Sequence, residues 1–381
     1  MYYITLKQHR KAKQISWEDV IFEKVTINEF TNENSNSSAT ITRCYEEIPK
    51  EIVEKIDVDG IIEWLTKFNN DNDILFKTEK AKLYNTFKIP KSTGGYRRID
   101  APCDMLQDQL RRLSSFLTDS CGLMYHTSAF AYITNRCIVD CVKKHQKNES
   151  NWFLKTDFSG FFPSTTLDFI MDMMKIIFPM SEVCKSNEGY EELRKALSLG
   201  FLNGGLPQGT CLSPVITNIM MIPIDHKLFN ELAHRNIVYT RYADDIHISA
   251  KEKFPYKEVV KLIEKTLKQF NAPFTIKPEK THYGNRNGKN WCLGLMLNQN
   301  NDITVGYRNK KYLNAALCSF ILDTKHGKYW NIEDVMHLSG QISYYKMIEK
   351  DRIESIINAQ NKKWNVNVSD MIKDYMSGKV A

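Results

Sequence analysis

No two cysteines in this chain are spaced as C-x-x-C, and its nine cysteines are an odd number scattered along the sequence. A disulfide framework or a structural zinc site is therefore not expected. Cys103, Cys121, Cys137, Cys141, Cys211 and Cys292 read instead as small buried or half-buried apolar residues in a reduced, cytoplasmic interior. Glycine (17) and proline (11) are too sparse for a collagen-like or wholly disordered chain. No uninterrupted apolar run reaches transmembrane length; MDMMKIIFPM, among the richest, is short and carries charge. The opening MYYITLKQHRKAKQ has no long apolar centre and no small-residue cleavage pattern, so no secretory signal and no membrane association are expected. No strong excess of one charge is present either. Lys plus Arg is 52 and Asp plus Glu is 45, giving 52 − 45 = +7, which admits a polyanionic partner without establishing one. Internal repeats are absent, and low complexity is confined to an asparagine-serine patch near residue 35.

What is present is an ordinary globular composition, 42% hydrophobic and 25% charged, over 381 residues. That length suffices for a sizeable core and more than one domain or subdomain. Residues 50–70 read as a helix, with Ile52, Val53 and Ile56 near helical spacing. TFKIPKSTGGYRRIDAP reads as strand, turn, strand, with Gly94 and Gly95 permitting the turn and Pro102 ending the second strand. DMLQDQLRRLSSFLTD places Met105, Leu106, Leu110, Leu113, Phe116 and Leu117 on one helical face. NWFLKTDFSGFF reads as a strand ending in a functional turn, and TTLDFIMDMMKIIF as a helix. GGLPQGTCLSPVITNIMMIPIDHKLFNELAHR predicts a glycine-rich turn leading into one long helix. IVYTRYADDIHISA predicts a hairpin turning at YADD, and YKEVVKLIEKTLKQF an amphipathic helix. FTIKPEKTHYG and NWCLGLMLN are short strand candidates, and the chain beyond about residue 310 reads as mostly helical and basic.

Asp157 ends one predicted strand, while Asp244 and Asp245 sit at a predicted hairpin turn. Aspartates are common in turns that simply face water. These, however, are flanked by apolar and aromatic strand residues, and carboxylates at turns of adjacent strands can converge on metal. Oxygen ligands without histidine or cysteine favour Mg²⁺ or Mn²⁺ over zinc. Two such ions about 4 Å apart suit in-line phosphoryl transfer. Spacing alone leaves hydrolase and transferase both open. Lys91, Arg97 and Arg98 surround a flexible hairpin, where guanidinium groups can grip phosphate. Gly204, Gly205 and Gly209 beside Gln208 can bring backbone and an amide close to a base pair or sugar. This segment lacks the Gly-Lys-Ser/Thr ending of a Walker A loop, and it is equally compatible with a turn and helix cap.

Four ordered segments, YRRIDAP, LKTDFSGFFPS, GGLPQGTCLSPVITNI and YTRYADDIHIS, together resemble the reverse transcriptases, within them the bacterial group that includes retron and group II intron enzymes. PEKTHYG and WCLGLMLN resemble the segments that follow in those enzymes. The resemblance implies an α+β, right-hand polymerase fold: fingers, an antiparallel-sheet palm and a helical thumb. The implied division is an N-terminal, mostly helical extension over 1–70, fingers over 71–149, palm over 150–309 and thumb over 310–381. It implies two Mg²⁺ ions, with Mn²⁺ as a substitute, held by Asp157 and Asp244 with Asp245 in a weaker role. Arg97 would contact the incoming triphosphate, assisted by Arg98 or Lys91. Phe162, five residues after Asp157, falls at the aromatic gate against a 2′-hydroxyl. Gln208 would touch the nucleotide–template pair, Lys280 would protonate pyrophosphate, and WCLGLMLN would grip the primer.

Arg308, Lys310 and Lys311 form a candidate phosphate-contact strip. Tyr344 and Tyr345 could stack on bases, or equally pack between helices. His126 and His145 are weaker RNA-contact candidates, more readily read as hydrogen-bonded core or surface residues. The implied partners are an RNA template, a DNA primer or product and dNTPs, with a dedicated noncoding RNA and an oligomeric or effector partner also admitted. The retron NAxxH segment is here Cys141–His145, keeping only the histidine, and the VTG triplet is Cys292-Leu293-Gly294, keeping only the glycine. These departures point to a stand-alone bacterial enzyme of the kind grouped with phage defence. An RNA polymerase, an untemplated or protein-primed nucleotidyl transferase on the same palm, and a catalytically silent nucleic-acid scaffold stay open as alternatives.

Overall fold

The apolar spacing that predicts helices and the alternation that predicts strands resolve into an α+β chain in a computed structural model, which describes residues 57–91, 94–287, 289 and 291–378. Ile52, Val53 and Ile56 lie outside the described residues, as do Ser92 and Thr93 of the KSTGG turn. Two compact units emerge. Of the described residues, the first holds those of 57–136, Thr156–Ile246 and Pro255–Thr281; the second holds Cys137–Lys155, His247–Phe254 and those of 282–378. Among the described residues no helix is long and apolar enough to cross a membrane.

In the first unit, α1 (Val58–Asp71) starts at Asp57, whose carboxylate accepts from the Gly60 amide at 2.8 Å. This satisfies a helix-end donor that has no partner within the helix. A short α2 (Asp73–Lys77) leads to β1 (Tyr84–Pro90) and β2 (Tyr96–Pro102), an antiparallel pair registering Ile89 with Arg97 and Thr86 with Asp100. Gly94 and Gly95 turn it with φ of 89° and 77°, as their lack of a Cβ allows. α3 (Asp104–Cys121) buries Leu106, Leu110, Leu113, Phe116 and Leu117, but Met105 is exposed. Met105 sits one step, about 100°, round the helix from Leu106 and so leaves the buried stripe. Trp64 stacks on Phe116 with ring centroids 3.8 Å apart, joining α1 to α3.

After α4 (Ile138–Lys147), which belongs to the second unit, β3 (Trp152–Ser159) crosses from one unit into the other. A single turn, α5 (Phe161–Ser164), follows, then α6 (Leu167–Met174), α7 (Met180–Val183) and α8 (Asn187–Ser198). The predicted long helix is two helices, α9 (Leu212–Met220) and α10 (Ile222–Ala233). Pro223 lies in the first turn of α10, where its missing N–H is tolerated but a continuous helix would be broken. β4 (Val238–Tyr242) and β5 (Asp245–Ala250) flank the YADD turn. After α11 (Tyr256–Gln269), β6 (Thr275–Ile276) pairs antiparallel with the Phe158–Ser159 end of β3. The strand order β4-β5-β3-β6 therefore puts the YADD hairpin beside the strand that carries Asp157. α9 packs on α3, and α10 on β4 and α11.

In the second unit, the start of β3 pairs antiparallel with β7 (His282–Asn285). The segment NWCLGLMLN is not one strand. Leu293 and Gly294, at φ of 54° and 83°, turn the chain between a Cys292–Leu295 bridge, leaving only β8 (Met296–Leu297) to pair with β9 (Ile303–Thr304). Three helices complete the unit: α12 (Tyr307–Lys325), α13 (Ile332–Trp364) and α14 (Val368–Met376). Leu313, Leu317 and Phe320 of α12, Leu338 and Ile353 of α13, and Ile372 of α14 share a core with Phe153 and Trp291. α13 breaks at Glu349 (φ −135°, ψ 63°), whose carboxylate takes hydrogen bonds from Thr304 Oγ1 at 2.7 Å and the Val305 amide at 2.9 Å.

Candidate active site

The first unit gathers Asp157, Asp244, Asp245, Lys280, Arg97, Arg98, Phe162 and Gln208. β3 delivers Asp157 near its end, and the next residue fastens the neighbouring strand: the Phe158 amide donates to the Asp244 carbonyl at 3.2 Å. Asp157 is buried, and each carboxylate oxygen meets a lysine, Lys277 Nζ on Oδ1 at 2.8 Å and Lys280 Nζ on Oδ2 at 2.5 Å. Both lysines come from IKPEK. Pro278 opens a one-turn 3₁₀ helix, Pro278–Lys280, and its tight winding lets residues three apart face the same way. The hydrogen bond to Asp157 raises the Lys280 ammonium above its ordinary range.

Burial, and then the nearby Asp157 and Asp245 charges, push the Asp244 carboxyl up from its ordinary value. The partly buried Asp244 thus feels the charge of both other carboxylates, and hard oxygen donors of this kind suit a small divalent cation. Among the described residues, no group of three or more His, Cys, Asp and Glu side chains is already gathered around an ion position. Lys277 and Lys280 supply the compensating charge.

Phe161 and Phe162 occupy one helical turn but separate cleanly. Phe161 is buried against Phe158 and Phe274, at centroid distances of 5.4 and 5.0 Å, while Phe162 is half-buried. The Phe162 carbonyl accepts from the Leu206 amide at 3.1 Å, tying this turn to the PQG loop. Two glycines permit that approach. A Cβ on Gly205 would meet the Pro163 carbonyl oxygen at 2.1 Å, and one on Gly209 (φ 127°) the Asp100 carbonyl oxygen at 2.9 Å. The Gln208 carbonyl accepts from the Asp100 amide at 2.7 Å, and Ser213 Oγ donates to the Pro207 carbonyl at 2.8 Å. The PQG loop is therefore held between β2, α5 and the start of α9.

Arg97 and Arg98 do not act as one clamp. Adjacent strand residues face opposite sides. Arg98 Nε pairs with Asp100 at 2.8 Å on one side, and Arg97 is exposed on the other. Lys91 is exposed at the hairpin tip. Arg97 and Asp244 both act on the Tyr132 phenol: burial and Asp244 push it up, and Arg97 opposes them. Tyr132 escapes a motif reading because it stands in an irregular loop, though its φ of 59° marks it in the structure. Sequence reasoning also misses Lys277 and the pair Arg241–Asp225. Lys277 had one available signal, its spacing of three from Lys280 across a proline.

In the second unit, the predicted phosphate strip is divided. Arg308 and Lys311 are exposed, but Lys310 pairs with Glu349 at 2.9 Å and also bonds Thr304 Oγ1. Tyr345 is buried in the core, so the packing alternative applies to it; Tyr344 is half-buried on the same core. His145 is fully buried with Nδ1 2.6 Å from Ser249 Oγ, and His126, in the first unit, is buried too. Both are core residues rather than RNA contacts. Cys121, Cys141 and Cys292 are buried and Cys137 half-buried, but Cys103 and Cys211 are exposed just ahead of α3 and α9, where a helix-entry turn leaves the side chain in solvent.

The chain is 28% identical over 320 residues to the Retron Ec83 reverse transcriptase of Escherichia coli, covering 82% of this chain and 97% of that one. It is 26% identical to the Retron Ec73 reverse transcriptase of the same organism, covering 73% and 86%. Among solved structures, a Candida albicans telomerase with a TWJ fragment of telomeric RNA matches at a TM-score of 0.44 and 12% identity, over 77% of this chain and 66% of that one. The family described as reverse transcriptase (RNA-dependent DNA polymerase) matches residues 89–313, more than half of the sequence, a span that takes in Lys91 through Lys311 of the site above. The chain belongs to the reverse transcriptase family.

Proposed function

We propose that this protein extends a 3′-hydroxyl with dNTPs on an RNA template by two-metal phosphoryl transfer, with the first unit supplying palm and fingers and α12–α14 the thumb. The observation that carries the reading is the adjacency of Asp157 and the YADD turn on neighbouring strands, with the Asp244 carboxyl pushed up by burial and then by its fellow aspartates. Asp157 and Asp244 would hold the Mg²⁺ ions, Asp245 contributing less directly. The metal would supply Lewis-acid stabilisation of charge on the transferring phosphoryl group.

The chain's own residues do the rest. Phe162, fixed through its carbonyl to Leu206, walls the sugar pocket, and Gln208 rides on the same loop against the nucleotide–template pair. Arg97 takes the triphosphate, with Lys91 beside it at the hairpin tip. Arg98 contributes chiefly by holding Asp100, whose amide and carbonyl position the PQG loop. Lys280 gives its proton to departing pyrophosphate. Arg308 and Lys311 contact template or primer phosphates. A dedicated noncoding RNA as template and a cytoplasmic role in phage defence both rest on the resemblance of the motifs.

Primer extension on an RNA template with dNTPs and Mg²⁺ tests the reading. Wild type should extend, and Asp157→Asn or Asp244→Asn should lose nearly all activity while keeping the fold. Extension by either pure variant at the wild-type rate would refute the assignment. Sequencing nucleic acid that co-purifies with the protein identifies the template.

A further inference from the structure

We infer that the buried Arg241–Asp225 pair fixes the YADD turn in its working shape, which makes Arg241 a positioning residue for Asp244. The inference rests on the reading of Asp244 as a metal-bearing carboxylate and names what sets that carboxylate in place.

Arg241 is 1% exposed and Asp225 0%. The guanidinium spends its donors on three targets. Nε and Nη2 grip both Asp225 oxygens at 2.7–3.1 Å, Nη1 and Nη2 reach Asn218 Oδ1 at 3.2 Å, and Nη1 donates to the Ala243 carbonyl at 3.0 Å. Asp225 also accepts from Tyr239 at 2.7 Å. The Arg241 backbone is pinned as well: its amide donates to Ser128, its carbonyl accepts from Phe130, and Asn218 Nδ2 donates to Ala131. One side chain thus joins α9 and α10 to the turn, while the backbone of the same residue ties β4 to the 128–131 segment.

Ala243 adopts φ 58°, a left-handed conformation that residues with a Cβ avoid. Its carbonyl belongs to the peptide that leads into Asp244. The guanidinium bond to that carbonyl therefore orients the peptide plane from which the Asp244 side chain projects, and holds a turn that alanine would not choose alone. Stability by itself does not call for such an arrangement, because a buried ion pair often stabilises no more than a well-packed apolar pair. What apolar residues could not supply is the donor aimed at Ala243. Lysine could keep a charge near Asp225, but its single ammonium lacks the planar fork that serves three acceptors at once.

The test compares Arg241→Lys, the charge-free pair Arg241→Met/Asp225→Asn, and Tyr239→Phe, which touches the same carboxylate without touching the turn. Readouts are the melting temperature, kcat and KM for dNTP in primer extension, and Mn²⁺ binding to the nucleic-acid-free protein by calorimetry. Folded Arg241 variants should lose at least tenfold in kcat with KM changed less than threefold, and bind Mn²⁺ at least threefold more weakly. Tyr239→Phe should lower the melting temperature and leave both readouts unchanged. Adding Ala243→Gly to Arg241→Lys should recover at least threefold in kcat, since glycine accepts the left-handed turn unaided. If the Arg241 variants do not fold, Asn218→Ala decides, because it frees one edge of the guanidinium without removing a charge. A threefold or larger fall in kcat supports the inference; unchanged kcat overturns it. Folded Arg241→Lys with wild-type kcat and Mn²⁺ affinity would make the pair purely structural. Absence of primer extension by wild type on any template would instead refute the polymerase reading, and Mn²⁺ binding would still decide the role of Arg241.

Discussion

Phe161 and Phe162 are chemically identical neighbours with opposite duties. Phe161 fills the space between Phe158 and Phe274, so Phe161→Ala should destabilise the protein by about 3–5 kcal/mol, read by urea denaturation. Phe162→Ala should cost little stability and change sugar choice. An unpaired buried 2′-hydroxyl costs about 1–3 kcal/mol, so the dNTP-to-rNTP incorporation ratio should fall by about 5- to 150-fold. An unchanged ratio in Phe162→Ala with a collapsed ratio in Phe161→Ala would reassign the gate. Lys277 offers a second test at this scale. It sits 2.8 Å from Asp157 and opposes any cation that approaches that carboxylate. Lys277→Met should tighten Mn²⁺ binding to the nucleic-acid-free protein by about tenfold, the effect of removing a partly screened charge worth roughly 1.4 kcal/mol. Weaker binding would mean that the lysine organises Asp157 rather than competing for it.

At the scale of elements, the PQG loop shows how backbone sterics place a side chain. Gly205 lies so close to Pro163 that an added Cβ would overlap its carbonyl oxygen, a contact with backbone that no side-chain rotation relieves. Gly205→Ala should therefore push the loop away from α5, lowering stability by more than about 1 kcal/mol and weakening dNTP selection with it. The measurement is thermal unfolding alongside the dNTP-to-rNTP ratio; a neutral result in both would show that the loop can be displaced without consequence. Gly204, one residue earlier, has open space where a Cβ would stand, so a substitution there is opposed by its φ of 81° and not by crowding. The same two-residue stretch of sequence thus carries two different constraints, one of space and one of backbone conformation.

For the molecule as a whole, acid stability and salt-dependent binding are the properties to measure. Burial lowers the His145 pKa from its ordinary value to about 3, so the folded protein keeps this imidazole neutral while the unfolded chain protonates it. The resulting stability is complete above about pH 6.5 and is lost as pH falls toward 3, by up to about 1.4 kcal/mol per pH unit for one such proton. The urea midpoint should fall on acidification from pH 7 to 5, and His145→Gln should flatten that slope; an equal slope in the variant would assign the acid sensitivity elsewhere. Binding to a template–primer duplex should weaken as salt rises, because lysines and arginines displace condensed counterions. Arg308→Ala with Lys311→Ala should make that dependence shallower by about two counterions, whereas Lys310→Ala should act through stability, since its ammonium is committed to Glu349. Affinity that does not change with salt would count against the predicted phosphate contacts.

The sequence by itself determined the strands that carry Asp157 and the YADD turn, the glycine-turned hairpin before Arg97, and the apolar stripe of α3, because each is written in local periodicity or in residues with one conformational use. It also carried enough ordered motif to identify the reverse transcriptase family. Only the tertiary structure decided which neighbours a side chain meets. It committed Lys310 to Glu349 and turned Tyr345 and His145 into core. It also brought Lys277 to Asp157 across 120 residues of chain and Arg241 to Asp225 and the YADD turn. Pairings of that kind depend on how distant elements pack, and no local pattern in the sequence records them.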